Sequence, residues 1–296
     1  MSTFTSKTRS MLQWALAMGL SLSPVSAFAQ KAADQVRIGF FDPVSSILLY
    51  DDSQPEIGFT SRAVFDPLIC FDKKTGQFAP LLASSWKIVD EKTLEFDLRQ
   101  DVKFHDGSPF SADDLVYTLR WLTAPDTNFR FKENFDWFSG IEKLGDYKVR
   151  MTLKRPIGIA MIRLAISFAV LPAKLHQPLA DKAEFGRKTP IGTGPYKAEY
   201  VDTNRGVSLI RNADYKQGNE CKPAARVNRI KALPIPDIQT QVAQMNTGGL
   251  DLLHVASKDI VDFMGSNPNY AITASQAITF HYMAMDSINR SGNQAL

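Results

Sequence analysis

Four histidines, two cysteines and one Gly-x-Gly step are the residues through which this 296-residue chain could do chemistry. His105, His176, His254 and His281 are widely separated, and none shares a short ligand spacing with another His or a Cys. No compact metal site is written in the sequence. His105-Asp106 has the residue types of an acid/base pair. Adjacent residues at a strand end point in different directions, so the expectation is a turn-forming Asp beside a partly exposed His. Neither Gly-x-Ser-x-Gly nor His-Glu-x-x-His occurs. Gly192-Thr193-Gly194 invites a phosphate-loop reading, yet a strand rather than a helix follows it and a third glycine is missing. The expectation is a protein that is not an enzyme and needs no cofactor and no metal.

Cys70 sits in an apolar stretch, Pro67-Leu68-Ile69-Cys70-Phe71, which reads as a buried strand. Cys221 lies in a polar loop, residues 217–223. Two cysteines do not make a disulfide framework, so the expectation is two unpaired thiols, with a single bridge as the alternative.

The elements that must carry these residues are legible from periodicity. Residues 35–40 read as a strand with Val36, Ile38 and Phe40 on one face. A helix-like segment covers residues 57–65. Leu94, Phe96 and Leu98 alternate with Glu95, Asp97 and Arg99, and Val149, Met151 and Leu153 repeat the pattern, which predicts a small antiparallel sheet with helices against it. Residues 104–122 read strand, turn, helix. The helix start is well specified: Ser111 can cap it, Asp114 completes a capping box, and Phe110 with Leu115 occupy the staple positions. Further on, residues 197–211 alternate as strands, Asp237 caps a helix with Ile238, Val242 and Met245 inward, and Gly248-Gly249 stops it. Residues 250–255 read as a buried strand, 258–264 as a helix and 277–285 as a last strand. Strand–helix–strand alternation of this kind argues for an α/β layer.

The first thirty residues read as an export signal. Lys7 and Arg9 precede an apolar run, residues 11–22, and Ala27-Phe28-Ala29 has the small-x-small pattern of a cleavage point, with Gln30 following. That run is short of the about twenty residues a membrane-spanning helix needs. With 44% hydrophobic and 22% charged residues the chain is globular in composition. Lys7 and Arg9 account for two of its 34 Lys+Arg, so after cleavage the net charge of +3 falls to +1. There is no basic stripe and no footprint for nucleic acid.

Residues 80–122 (PLLASSWKIVDEKTLEFDLRQDVKFHDGSPFSADDLVYTLRWL) closely resemble the signature region of family 5 extracellular solute-binding proteins, the dipeptide, oligopeptide and nickel receptors of ABC importers. The shared features are the Leu-Ala-x-Ser-Trp entry, the Leu-x-Phe-x-Leu-Arg strand, and Val102-Lys103-Phe104-His105-Asp106-Gly107 ahead of Phe110-Ser111-Ala112-Asp113-Asp114. A second block is Gly192-Thr193-Gly194-Pro195-Tyr196 with Arg211-Asn212-Ala213-Asp214-Tyr215. A third runs from Val227-Asn228-Arg229-Ile230 through Asp237 to residues 244–251. In order, the three cover most of residues 35–290.

The resemblance implies an α/β, periplasmic-binding-protein-like lobe of the class with an extra inserted subdomain. It divides the chain into a signal peptide (1–29), a first ligand-binding lobe (30–60 and 186–296) and an inserted subdomain with antiparallel sheet and helices (61–185). Residues 280–287 are similar to the strand that leads into the family's hinge, so the second lobe is expected to be largely missing. Cleft-facing residues implied by the family layout lie after the first strand, after the capped helix and at the hinge: Asp51, Asp52, Phe129, Phe131, Trp137, Phe280, His281 and Tyr282. Aromatic side chains in such loops enclose a ligand with little loss of rotamer entropy. The two Gly- and His-containing blocks are read as fold-forming turns.

The function implied is the extracytoplasmic, periplasmic solute-binding component of an ABC importer. It would take a peptide or related small solute and hand it to the permease subunits by lobe closure, as a monomer whose mature chain does not enter the membrane. Without the second lobe, tight ligand capture is not expected. The alternative is an exported interaction or chaperone-like module with no transport role.

Overall fold

The computed structural model describes residues 34–273, except 53, 128, 130, 131, 189, 255 and 256. Its elements in chain order are β1 (Gln35–Phe40), α1 (Pro55–Val64), β2 (Ile69–Asp72), β3 (Gln77–Pro80), β4 (Ala83–Asp90), β5 (Thr93–Leu98) and α2 (Ala112–Thr123). They continue with β6 (Phe138–Gly145), β7 (Lys148–Leu153), α3 (Ala160–Ile166), α4 (Ala173–His176), α5 (Ala183–Lys188), β8 (Tyr196–Asp202) and β9 (Gly206–Arg211). The last are β10 (Arg229–Pro234), α6 (Ile238–Asn246), β11 (Leu252–Leu253) and α7 (Lys258–Gly265). Among the described residues, no helix is long and apolar enough to cross a membrane.

A five-stranded sheet in the order β11-β1-β10-β9-β8 joins the first strand to strands from the later part of the chain. β1 runs parallel to both β10 and β11, while β9 and β8 return antiparallel. Flanked on both sides, β1 buries Ile38, Gly39 and Phe40 in succession, as a central parallel strand does. The stretch between these strands carries a four-stranded antiparallel sheet, β4-β5-β7-β6, and a hairpin of β2 with β3. The expected alternation holds: Leu94, Phe96, Leu98, Val149, Met151 and Leu153 are all buried. Their outward neighbours pair across the strands instead, with Arg150 bridging Glu95 and Glu142, and Lys148 reaching Asp97.

α2 packs on β6 and β7. Its capping box forms as written: the Ser111 hydroxyl accepts from the Asp113 N–H, and the Asp114 carboxylate accepts from the Ser111 N–H. Such a cap contributes about 1 kcal/mol. The other Asp114 oxygen accepts from the Ala173 N–H at the start of α4, so one carboxylate ties two helix starts together.

The two sequence blocks read as turns interlock. Gly192 and Gly194 lie against the end of α1, where the Gly194 N–H donates to the Val64 carbonyl at 2.8 Å. A Cβ on Gly192 would stand 2.0 Å from that carbonyl oxygen, and one on Gly194 2.5 Å from that of Ala63, so only glycine allows the approach. His105 closes the turn. It accepts the Gly192 N–H at Nδ1 (3.2 Å), which puts the ring proton on Nε2, and Nε2–H donates to the Gly194 carbonyl (3.0 Å). Burial pushes its pKa down to about 4. His105 is therefore buried, not partly exposed, because the partner that covers it lies almost ninety residues away in sequence. Asp106 is turn-forming, accepting from the Ser108 N–H and hydroxyl.

Beneath this turn lies a buried polar cluster. Asp66, 1% exposed, accepts from Thr193, Tyr215 and Gln217 and is ion-paired with Lys222. Burial lowers the Lys222 pKa, an effect that the Asp66 charge opposes. The loop that delivers Lys222 is anchored by a disulfide between Cys70 and Cys221. This corrects the expectation of two free thiols: the strand and the loop are 151 residues apart in sequence, and their approach is a tertiary event.

Three further expectations change. Residues 103–109 form a tight loop with a single bridge, Lys103 to Pro109, rather than a strand. Residues 250–255 supply only the two-residue β11, a half-exposed sheet edge and not a buried strand, since β1 covers it on one side only. Within α6 the buried side chains are Gln241 and Val242, whereas Ile238 and Met245 are half-buried. The predicted strand at 277–285 lies outside the described residues.

Candidate functional site

The chain leaves the carboxyl end of β1 through a long loop, residues 41–54, held down by buried Val44, Ile47, Leu48 and Tyr50. In open α/β sheets the carboxyl ends of parallel strands are where ligands bind. A pocket of about 190 Å³ opens beside this loop. Leu49, Tyr50 and Asp52 line it from the loop, and Gln54, Gly58 and Arg62 from one side of α1. Asn134 and Phe135 enter from a short 3-10 turn ahead of β6, and Ile166 and Ser167 from the end of α3. Gln54, the N-cap of α1, and Gly58 and Arg62 within it are spaced i, i+4, i+8 and so share a face. Gly58 has nothing within 4 Å of the place where a side chain would begin, which leaves the pocket its depth.

The floor is aromatic. Tyr50 is held by its hydroxyl, which donates to the Ala169 carbonyl (2.7 Å) and accepts the Ala169 N–H (2.9 Å). Burial raises its pKa and keeps the phenol neutral. Its ring meets Phe135 edge-on at 5.5 Å, and Phe129 at 6.0 Å. Trp121 stacks on Phe129 and touches His176 edge-on. His176 is fully buried, its Nδ1 2.6 Å from the Tyr117 hydroxyl, and burial pushes its pKa down to about 4. The 3-10 turn is fixed by Lys132, whose ammonium donates to the carbonyls of Ala124, Pro125 and Thr127.

The sequence-derived candidates separate into groups. Asp52 lines the pocket directly. Its neighbour Asp51 turns back into the loop, where the Ser46 hydroxyl donates to it at 2.5 Å. Burial raises the Asp51 pKa, opposed by that hydrogen bond and by the charge of Arg187. Phe129 belongs to the aromatic floor. Trp137 is buried, stacks on Phe138 and donates from Nε1 to the Asn134 carbonyl, so it meets the pocket through Asn134. Phe131, Phe280, His281 and Tyr282 lie outside the described residues. Among the described residues, no three His, Cys, Asp or Glu side chains are grouped to share a metal ion.

Residues 77–290 match the family model for bacterial extracellular solute-binding proteins, family 5, middle region. The chain belongs to this family. It is 27% identical over 266 residues to the oligopeptide-binding protein AppA of Bacillus subtilis, covering 88% of this chain and 47% of that one. It is 26% identical over 280 residues to the glutathione-binding protein GsiB of Pectobacterium atrosepticum, covering 93% and 52% respectively. Among solved structures it superposes on NikZ of Campylobacter jejuni, determined in complex with Ni(L-His), with a TM-score of 0.71 at 25% identity. That match covers 80% of this chain and 46% of the other. The fold is thus α/β and periplasmic-binding-protein-like, and the chain spans about half the length of the curated relatives it matches.

For a family 5 protein the pocket contains residues that sequence reasoning did not single out: Arg62, Gly58, Asn134, Ile166 and Ser167. A faint signal existed for two of them. Gln54, Gly58 and Arg62 recur at a spacing of four, which puts them on one side of the helix, though the opposite, buried side also carries polar Glu56, Thr60 and Ser61 and so gives little contrast. Asn134 and the end of α3 carried no local signal.

Proposed function

We propose that this chain is the extracytoplasmic solute-binding component of an ABC importer, taking a peptide or a related small solute and delivering it to the permease by lobe closure. In this reading residues 1–29 are a signal peptide cleaved after Ala29, and the mature protein works as a periplasmic monomer. Residues 30–60 and 186–296 build the first lobe, with 61–185 as its insertion. The pocket beside α1 is one wall of the solute cleft. Asp52 faces the solute, Phe129 supports the floor, and Asp51 and Trp137 hold the loop and Asn134 in place. The observation that carries the reading is the position of this pocket, where the loop that follows β1, α1 and the 61–185 stretch converge in a family 5 fold. Its volume, about 190 Å³, is below the roughly 300–1,000 Å³ of complete small-molecule sites, as one wall of a cleft would be.

Isothermal titration of the purified chain with a panel of dipeptides, oligopeptides and glutathione tests the proposal, with Gly58→Leu as the blocked control. Weak but saturable binding that Gly58→Leu abolishes, with an unchanged circular dichroism spectrum, is the expected result. Binding to the wild type that survives Gly58→Leu would remove the pocket from the solute cleft. Signal processing is checked separately by N-terminal sequencing of the periplasmic fraction, where a chain still beginning at Met1 would overturn the cleavage assignment.

A further inference from the structure

Two guanidiniums and one carboxylate surround the pocket among the described residues: Arg62 on its wall, Arg163 behind Asn134, and Asp52 on the loop. Neither arginine has an acidic partner within ion-pair distance among the described residues. Arg163 instead donates from Nη1 to both the backbone carbonyl (3.2 Å) and the side-chain oxygen (2.8 Å) of Asn134, while its Nε is buried without any partner. A half-buried cation with an unsatisfied donor costs free energy that a nearby anion would recover.

The same contacts fix the polarity of Asn134. Its Oδ1 is occupied by Arg163 and its backbone carbonyl by Arg163 and Trp137, so the group it retains for a ligand is the Nδ2 amine, a double donor. Arg62 adds a fork of N–H donors that no hydrogen bond or ion pair engages among the described residues. The polar side of the pocket therefore offers donors and positive charge, while Leu49, Tyr50, Phe135 and Ile166 make the other side apolar.

We propose that the pocket receives a carboxylate attached to a short apolar substituent, such as the C-terminal residue of a peptide, with the carboxylate between Arg62 and the Asn134 amine. A planar monoanion suits the guanidinium fork. This inference rests on the reading of the pocket as the solute cleft.

The test is a pair of NMR titrations of the full chain, with N-acetyl-leucine as the probe and N-acetyl-leucinamide as its uncharged match. The acid is expected to shift the amide resonances of Leu49, Gly58 and Ser167 and to bind about tenfold more tightly than the amide. Arg62→Gln removes that preference while leaving the thermal midpoint within a degree or so, since Arg62 is exposed and has no ion-pair partner among the described residues. Arg62→Lys keeps part of it. Equal affinities for acid and amide at these resonances would overturn the carboxylate assignment and leave the cleft reading standing. Shifts confined to other residues, or none, would overturn both.

Discussion

Acidification provides a quantitative test of the interlocked turns, because two buried histidines must stay neutral for the fold to close. His105 uses Nδ1 as an acceptor for the Gly192 N–H, and His176 is buried among Tyr117, Trp121 and Phe185 with its Nε2 unpaired. Each pKa is pushed from 6.5 down to about 4, in both cases chiefly by burial. In the unfolded chain the imidazoles take up protons as the pH falls through 6.5, whereas in the fold they do so only near 4. The unfolded state therefore binds more protons in that window, and stability must fall as the pH falls from about 6.5 to about 4, with no further contribution from the histidines above about 7. Each histidine contributes about 3 kcal/mol to this loss. Together that is a large share of the roughly 5–15 kcal/mol by which a domain is stable. Asp51 and Asp114, whose pKa values are raised by burial, act with the opposite sign and nearer the ordinary carboxylate value of 3.8. The upper half of the window belongs to the histidines. Urea unfolding followed by circular dichroism, at steps between about pH 7.5 and 4.5, measures the slope. His105→Gln retains a donor for the Gly194 carbonyl but cannot titrate, so it lowers stability at neutral pH while removing about half of the pH dependence. A flat profile for the wild type, or an undiminished slope in His105→Gln, would refute the reasoning.

Other perturbations address separate parts of the fold. Reducing the Cys70–Cys221 bridge releases a loop closure of 151 residues, with a ceiling near 5 kcal/mol on the chain-entropy account; non-reducing peptide mapping and urea midpoints with and without reductant check it. Lys222→Met strands the buried Asp66 carboxylate and should cost about 3–5 kcal/mol, of which a large part returns in the Asp66→Asn, Lys222→Met double variant. Gly192→Ala, whose Cβ would meet the Val64 carbonyl at 2.0 Å, should lose more than about 3 kcal/mol. Gly58→Ala, with open space around it in α1, should gain about 0.5–1 kcal/mol, and thermal melts of the two variants must move in opposite directions.

Much of the fold was legible residue by residue. The alternation at 94–98 and 149–153, the Ser111–Asp114 box and the Asp237 cap all appear where the sequence puts them, because each depends on neighbours within one strand or one helical turn. The short helices α3, α4 and α5 were not read, since helices of four to seven residues carry too few positions to display a period. The candidate site was legible only in part. Asp52 and Phe129 could be located from the loops they occupy, but nothing local distinguishes Asp52, on the pocket, from Asp51, turned to Ser46.

By itself the sequence determined the order and type of most strands, the capped helices, the turn at Asp106-Gly107 and membership of the family 5 extracellular solute-binding proteins, because these are encoded in short spacings. Tertiary structure alone decided which distant residues meet. It paired Cys70 with Cys221, set His105 between Gly192 and Gly194, and assembled a pocket from a loop, two helices and a 3-10 turn. Contacts across nearly ninety residues or more depend on how whole elements pack, and packing is a property of surfaces that no local pattern records.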